Sequence, residues 1–258
     1  MKKNIVILSA NRYSAYSSSV LHLLLKNNFN VSLVVAKKIY GINEIKFRLK
    51  REGFEIIKKI YVKIFLQILS TIGLKSKKID GFTKFFNELS DVKILIKKIK
   101  IDQIPFIETQ NFHKASTLDL INSKNPDLII FTGGGLIRQS LLDLPKIGVL
   151  NCHMGILPDY RGMDCTSWAL INKDYNNIGC TTHLMDKGVD TGPIIKKYFI
   201  DINKSKNYNI ETDIEYIMAN CIIESVKILF ERKNITKGQV LSDGKQYYTM
   251  HPFLKKRI

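Results

Sequence analysis

Cysteine is scarce in this chain, and what there is does not suit cross-linking. Cys152, Cys165, Cys180 and Cys221 form no C-x-x-C pair and no disulfide-dense spacing. A reducing cytoplasm is therefore the expected setting. Zinc is not expected either, because Cys152, His153, Cys165, Cys180 and His183 match none of the recurring ligand spacings. Long apolar runs are also lacking. The longest candidate, Ile60 to Leu74, is broken by Lys63 and Gln67 and falls short of the roughly 20 residues of a membrane span. Ile5-Val6-Ile7-Leu8, after Met1-Lys2-Lys3-Asn4, is too short for a signal peptide. No internal repeat or low-complexity linker is present.

Arginine and acid are in short supply together. Only 7 of the 40 basic residues are Arg, and 23 acidic residues leave a net charge of +17. The excess is uneven, since Lys37 to Lys100 holds 17 Lys/Arg against 6 Asp/Glu. These lysines lack the interleaved aromatic and Arg pattern of a nucleic-acid surface. They read first as a solvated face of biased composition and second as attraction for an anionic substrate. Neither nucleic acid nor membrane is the expected partner.

The rest is ordinary for a folded protein, with 45% hydrophobic and 24% charged residues, which excludes disordered and collagen-like classes. Periodicity gives the class. Ile5 to Leu8 and Val31 to Val35 are short apolar runs, and Val20 to Leu25 between them has a helical face. Strand, helix and strand in that order open a parallel α/β sheet. The pattern returns with strands over 104–107, 128–131, 149–153, 179–185 and 194–202, and helices over 116–122, 140–144, 166–171 and 214–230. The fold class is α/β, a mainly parallel sheet with flanking helices and a small C-terminal appendage. Residues 1–210 are expected to form the main domain, with 37–100 as a basic, mostly helical insertion. Residues 211–258 are expected to supply a C-terminal helix and the appendage.

The informative block is Asn151-Cys152-His153-Met154-Gly155-Ile156-Leu157-Pro158-Asp159-Tyr160-Arg161-Gly162. Strand alternation puts Asn151 and His153 on one face and Cys152 on the other. Ligands of open parallel sheets sit beyond the carboxyl ends of strands. Asp190, in Asp186-Lys187-Gly188-Val189-Asp190-Thr191-Gly192-Pro193, is the natural third partner. Pro158 and Gly162 read as backbone devices. Gly133-Gly134-Gly135 lacks the spacing of a dinucleotide fingerprint or a P-loop.

Asn-x-His, then Leu-Pro-x-Tyr-Arg-Gly, then Trp168, then Asp-x-Gly-x-Asp-Thr-Gly-Pro together resemble the 10-formyltetrahydrofolate-dependent formyltransferases. The resemblance is clear over about 126–202. It implies a Rossmann-like formyltransferase fold, N10-formyltetrahydrofolate as formyl donor and no metal. It implies catalysis by Asn151, His153 and Asp190. Gly135, Leu136 and Ile137 would border the pterin, with Asp186 and Gly188 closing the other side. Asn11 and Arg12, after the first strand, would contact the acceptor. An oxyanion forms when an amine attacks the formyl carbon, which suits an amide donor such as Asn151. An imidazole such as His153 suits the proton transfer, and Asp190 can favour its charged form. Cys152 is not read as a nucleophile, because direct transfer requires no covalent intermediate. Asp186 reads as a turn former before a catalyst.

The resemblance divides by acceptor. Methionyl-tRNA formyltransferases carry a further C-terminal β-domain, for which the 57 residues after Asp201 leave no room. Glycinamide ribonucleotide formyltransferases have a glycine-rich loop where this chain has Ser9-Ala10-Asn11-Arg12-Tyr13-Ser14. Arg161-Gly162 with Trp168 is similar to sugar N-formyltransferases, and a sugar nucleotide's diphosphate fits a basic surround. The expected acceptor is a nucleotide-linked amino-deoxysugar. Another small amine and methionyl-tRNA are the alternatives, with a non-catalytic basic binding protein as the reading from a different class. The apolar helix face of the basic segment is assigned to a wall of the acceptor site or to a subunit contact in a homodimer.

Overall fold

Alternating apolar side chains build a sheet with two buried faces. The computed structural model describes residues 3–38, 99–100, 102–200, 210–231, 238–239 and 244–255. The interior of the basic segment expected over 37–100, with its two amphipathic helices, lies outside the described residues.

The chain begins with β1 (Asn4–Ser9), α1 (Ala15–Lys26) and β2 (Asn30–Lys37). Then come β3 (Phe106–Thr109), α2 (Ala115–Ser123), β4 (Leu128–Thr132), α3 (Gln139–Leu142) and β5 (Gly148–His153). After β5 the order is β6 (Tyr160–Gly162), α4 (Cys165–Ile171), β7 (Gly179–Leu184) and β8 (Ile194–Phe199). The chain closes with α5 (Ile210–Phe230), β9 (Lys245–Tyr247) and α6 (Pro252–Lys255). The main sheet runs β3-β2-β1-β4-β5-β7-β8, while β6 and β9 pair separately. Strands from β3 to β5 are parallel, whereas β7 runs antiparallel to both β5 and β8. The sheet is thus mainly parallel, as its apolar runs predict, with an antiparallel edge.

Parity along each strand decides which side a residue serves. Ile5, Ile7, Leu128, Ile130, Leu150, Cys152 and Cys180 face α1 and α5. Val6, Leu8, Ile129, Phe131 and Val149 face the opposite layer, with Phe112 and Ile121 of the α2 region. Burying each such side chain contributes about 1.5–3 kcal/mol relative to leaving it exposed. Helix α1 starts at an N-cap, where the Ser14 hydroxyl accepts from the Ser17 N–H. The serines that follow serve the interior. Ser17 Oγ accepts a 2.7 Å bond from Ser9 and lies 2.6 Å from Thr132 Oγ1, tying β1, α1 and β4 together. Residue 211, the expected start of the C-terminal portion, falls inside α5. That helix packs into the main core through Ile214, Ala219, Ile222 and Val226. The expected strand over 104–107 lies two residues later, because Ile104 instead packs against the core beside α1.

Connections reverse direction between β1, which leads outward to β2, and β4, which leads outward to β5. The crevice above this switch point is where open α/β sheets hold ligands. Ala10, Asn11 and Arg12 lie on one side of it and Gly133-Gly134-Gly135 on the other.

Candidate functional site

Asn151 and His153 share the parity of Val149 and therefore emerge on the α2 face near the end of β5. Cys152 points the other way into the α1–α5 layer, as alternation predicts. Its neighbours there include Cys180 and Cys221, whose sulfurs are 3.6 Å apart, and none of the four cysteines is bonded in a disulfide. Cys180 is therefore on the face opposite His183.

Strand β7 ends beside the start of β5, where the Met185 N–H donates to the Val149 carbonyl. The following loop runs back over the α2 face and delivers Asp190 to His153, with 3.3 Å between Asp190 Oδ2 and His153 Nδ1. Asp190 Oδ1 lies 3.5 Å from Nε2 of His183. One carboxylate thus stands between two imidazoles; both rings are buried, and 14% of the Asp190 side chain is exposed. Asn151 joins through the same histidine, with Asn151 Nδ2 3.2 Å from His183 Nε2. The structure brings together Asn151, His153 and Asp190, and adds His183, whose spacing in the sequence fits no zinc site. Strand parity puts Thr181 and His183 on one face, but only the β5–β7 register sets His183 opposite Asn151.

Backbone groups fix the two rings. His153 Nε2 donates to the Tyr160 carbonyl at 2.8 Å, so its Nδ1 is the nitrogen turned toward Asp190. His183 Nδ1 donates to the Leu184 carbonyl at 3.1 Å. Asp190 is held in the left-handed region at φ 54°, which Asp tolerates better than most residues. Its carboxylate accepts the Gly162 N–H at 3.0 Å, and Gln239 Nε2 donates to its carbonyl at 3.0 Å. Asp186 shapes the same loop, its Oδ1 accepting from the Gly188 N–H and the Thr191 hydroxyl.

Burial pushes His153 below its ordinary 6.5, and neither the Asp190 charge nor the Tyr160 carbonyl overcomes it. Burial also acts to raise Asp190, but the His183 ring, the His153 charge and the Gly162 N–H outweigh it and hold the acid below its ordinary 3.8. At neutral pH the pair is an uncharged imidazole beside a carboxylate. A proton arriving at His153 Nδ1 enters an ion pair at once. Both shifts mean that the unfolded chain binds protons first as pH falls, so stability is full above about 6.5 and declines below it. Asp190 adds its own loss as pH falls through its depressed folded value, below the unfolded 3.8. Chemical denaturation is expected to give a lower midpoint at pH 5 than at pH 7. His153→Asn should shrink that difference, and an unchanged difference would contradict the assignment to His153.

The remaining expected residues are more dispersed. Gly133, Gly134 and Gly135 all have φ between 110° and 123°. A Cβ on Gly134 would lie 2.6 Å from Phe112, so glycine is required there by both torsion and space. Leu136 is 81% exposed, and its carbonyl accepts from His113 Nε2 at 3.2 Å. Ile137 packs with Met185 against the α2-side cluster, which brings this segment and the Asp190 loop to one layer. Asn11 is turned inward on its own loop, accepting the Tyr13 N–H through Oδ1. Arg12 is paired with Glu108 of β3 at 2.8 Å.

Arg161 and Trp168 hold the C-terminal segment. Arg161 donates to the Gly244 carbonyl at 3.1 Å, and the Trp168 indole N–H donates to the Tyr248 carbonyl at 2.8 Å. Tyr247 stacks on Tyr160 at 5.0 Å, and β9 pairs in parallel with β6. The strand β9 that braces β6 has no signal in the sequence beyond Tyr247.

A family model described as formyl transferase matches residues 70–214. A methionyl-tRNA formyltransferase of Geobacter sulfurreducens is 34% identical over 155 residues, covering 59% of this chain and 47% of its own. The chain spans about half the length of the first curated relatives it matches. Among solved structures, glycinamide ribonucleotide transformylase 1 from Symbiobacterium toebii superposes with a TM-score of 0.59 at 14% identity, covering 93% of this chain and 94% of that one. A sugar 3N-formyl transferase, solved in the presence of dTDP and 5-N-formyl-THF, gives 0.54 at 16% identity, covering 95% and 70%. The structural likenesses speak to the fold, and the sequence match, which takes in Asn151, His153, His183 and Asp190, speaks to descent: the chain belongs to the formyl transferase family.

Proposed function

We propose that this chain moves a formyl group from N10-formyltetrahydrofolate to the amine of a small acceptor, and that the acceptor is a nucleotide-linked amino-deoxysugar. The observation that carries the chemistry is the His153–Asp190 pair, with Asn151 on the same face. The acceptor nitrogen attacks the formyl carbon, forming a C–N bond and a tetrahedral oxyanion. Asn151 donates an N–H to that oxygen. His153 Nδ1 takes the amine proton, directly or through one water, and Asp190 stabilises the imidazolium. Collapse breaks the bond to N10 of the folate, which receives the proton and leaves as tetrahydrofolate. No metal and no covalent enzyme intermediate are required.

For the donor, the geometry supports the segment Gly135-Leu136-Ile137 on one side. Three positive-φ glycines expose its backbone, and Leu136 offers an apolar surface. The loop holding Asp186 and Gly188 supplies the other side. Asn11 and Arg12 line the switch-point crevice on the acceptor side. The four buried, unbonded thiols suit a reducing cytoplasm, and among the described residues no helix is long and apolar enough to cross a membrane.

Two observations bear on the acceptor. The net charge of +17 suits an acceptor that carries a diphosphate, which favours a nucleotide sugar. The sequence identity to a methionyl-tRNA formyltransferase favours tRNA as the second reading. An acceptor panel with N10-formyltetrahydrofolate, following tetrahydrofolate release and product mass, separates them. Amino-sugar nucleotides are expected to be formylated. Turnover of methionyl-tRNA or glycinamide ribonucleotide alone removes the sugar reading, and no turnover of any amine removes the transferase reading.

A further inference from the structure

His183 is 1% exposed, so it touches no substrate, yet its Nε2 is the point where two of the proposed catalytic side chains meet. Nε2 lies 3.2 Å from Asn151 Nδ2 and 3.5 Å from Asp190 Oδ1. Its own orientation is set from behind, because Nδ1 donates to the Leu184 carbonyl. With the proton on Nδ1, Nε2 presents a lone pair, and the matching partner is an N–H of the Asn151 amide. The other N–H of that amide then faces the cleft, and its carbonyl oxygen is turned away. A reversed amide would set oxygen against the Nε2 lone pair and would present no donor to a forming oxyanion.

We infer that His183 is a positioning residue for formyl transfer: it selects the amide orientation of Asn151. The inference builds on the formyl-transfer reading and deepens it. The β5–β7 register makes the device rigid, since Asn151 and His183 are directly paired across antiparallel strands and neither can slide without breaking the ladder. Thr181, also on this face of β7, anchors the turn after β5 by donating to the Gly155 carbonyl and accepting from the Leu157 N–H. One strand thus positions the amide and the loop that bonds to His153.

The test compares two amides of different reach. The side chain of Gln places a polar atom near the position of Nε2, whereas that of Asn reaches only as far as Nδ1. His183→Gln is expected to keep most of the wild-type kcat. His183→Asn should lose about 10- to 100-fold in kcat with little change in KM for either substrate, because a displaced amide is felt in the transition state. A purely structural role would cost both variants alike. Equal kcat in the two variants, or a loss confined to KM, overturns the inference. A second measurement uses the unaltered protein: nitrogen-15 NMR of its histidines should find His183 carrying its proton on Nδ1. A ring protonated at Nε2 overturns the inference even if neither variant folds. A wild-type protein inactive with every amine tested would remove the formyl-transfer reading, while the NMR result would still judge the arrangement.

Discussion

His153→Ala is expected to cut turnover by about 10²-fold or more while N10-formyltetrahydrofolate still binds. The imidazole sits where it can take a proton and form an ion pair with Asp190, 3.3 Å away. That interaction grows as charge develops, so its loss belongs to kcat before binding. Asn151→Ala is expected to act similarly, since losing one oxyanion donor typically costs about 10²–10³ in turnover. Cys152→Ala is the control. Its side chain points into the α1–α5 layer, away from the cleft, and most activity should remain. An active Asn151→Ala beside a folded but dead Cys152→Ala would overturn the mechanism. Steady-state kinetics, with folate binding followed by fluorescence or calorimetry, check both halves.

The other large effect is expected at a residue with no side chain. Gly162 has φ 98°, and its N–H donates to Asp190 Oδ2 at 3.0 Å. A Cβ here would sit 2.2 Å from the Tyr247 carbonyl oxygen of β9. Backbone strain of this kind costs on the order of 1–3 kcal/mol before any clash. Gly162→Ala must push β9 away, and with it the stacking of Tyr247 on Tyr160. The expected result is a lower denaturation midpoint together with lost activity, because the N–H that holds Asp190 shifts as well. Gly238→Ala, where the added Cβ would meet nothing within 4 Å, should be silent. A stable and fully active Gly162→Ala would remove this N–H from any part in holding Asp190.

Much of the architecture is legible in the amino-acid sequence. Short apolar runs such as Ile5 to Leu8 and Leu128 to Phe131 are buried on both faces, so they stay apolar at every position and mark central strands. Parity along β5 put Asn151 and His153 on one side and Cys152 on the other, and the structure has them so. Elements whose partners are distant were less legible. The 3-residue strands β6 and β9 are too short to carry a period, and they pair across more than 80 residues of chain. Arg161 and Trp168 carry a likeness to sugar N-formyltransferases in the sequence, which does not name their partners; in the structure they bond to carbonyls of the C-terminal segment. Arg12 sits in the expected crevice with its guanidinium paired to Glu108, a partner from β3 that the sequence could not place.

Local sequence is enough for the α/β class, the strand that carries Asn151 and His153, and the loop that carries Asp190. Local periodicity and turn chemistry suffice for these, because each depends on neighbours a few residues apart. Long-range packing sets β7 antiparallel to β5, and so puts His183 opposite Asn151 and beside Asp190. A strand's direction and register depend on the distant surface it buries and on the ladder it completes. No local pattern in Gly179 to Leu184 encodes either, and the fourth polar side chain of the site becomes visible only when the sheet is assembled.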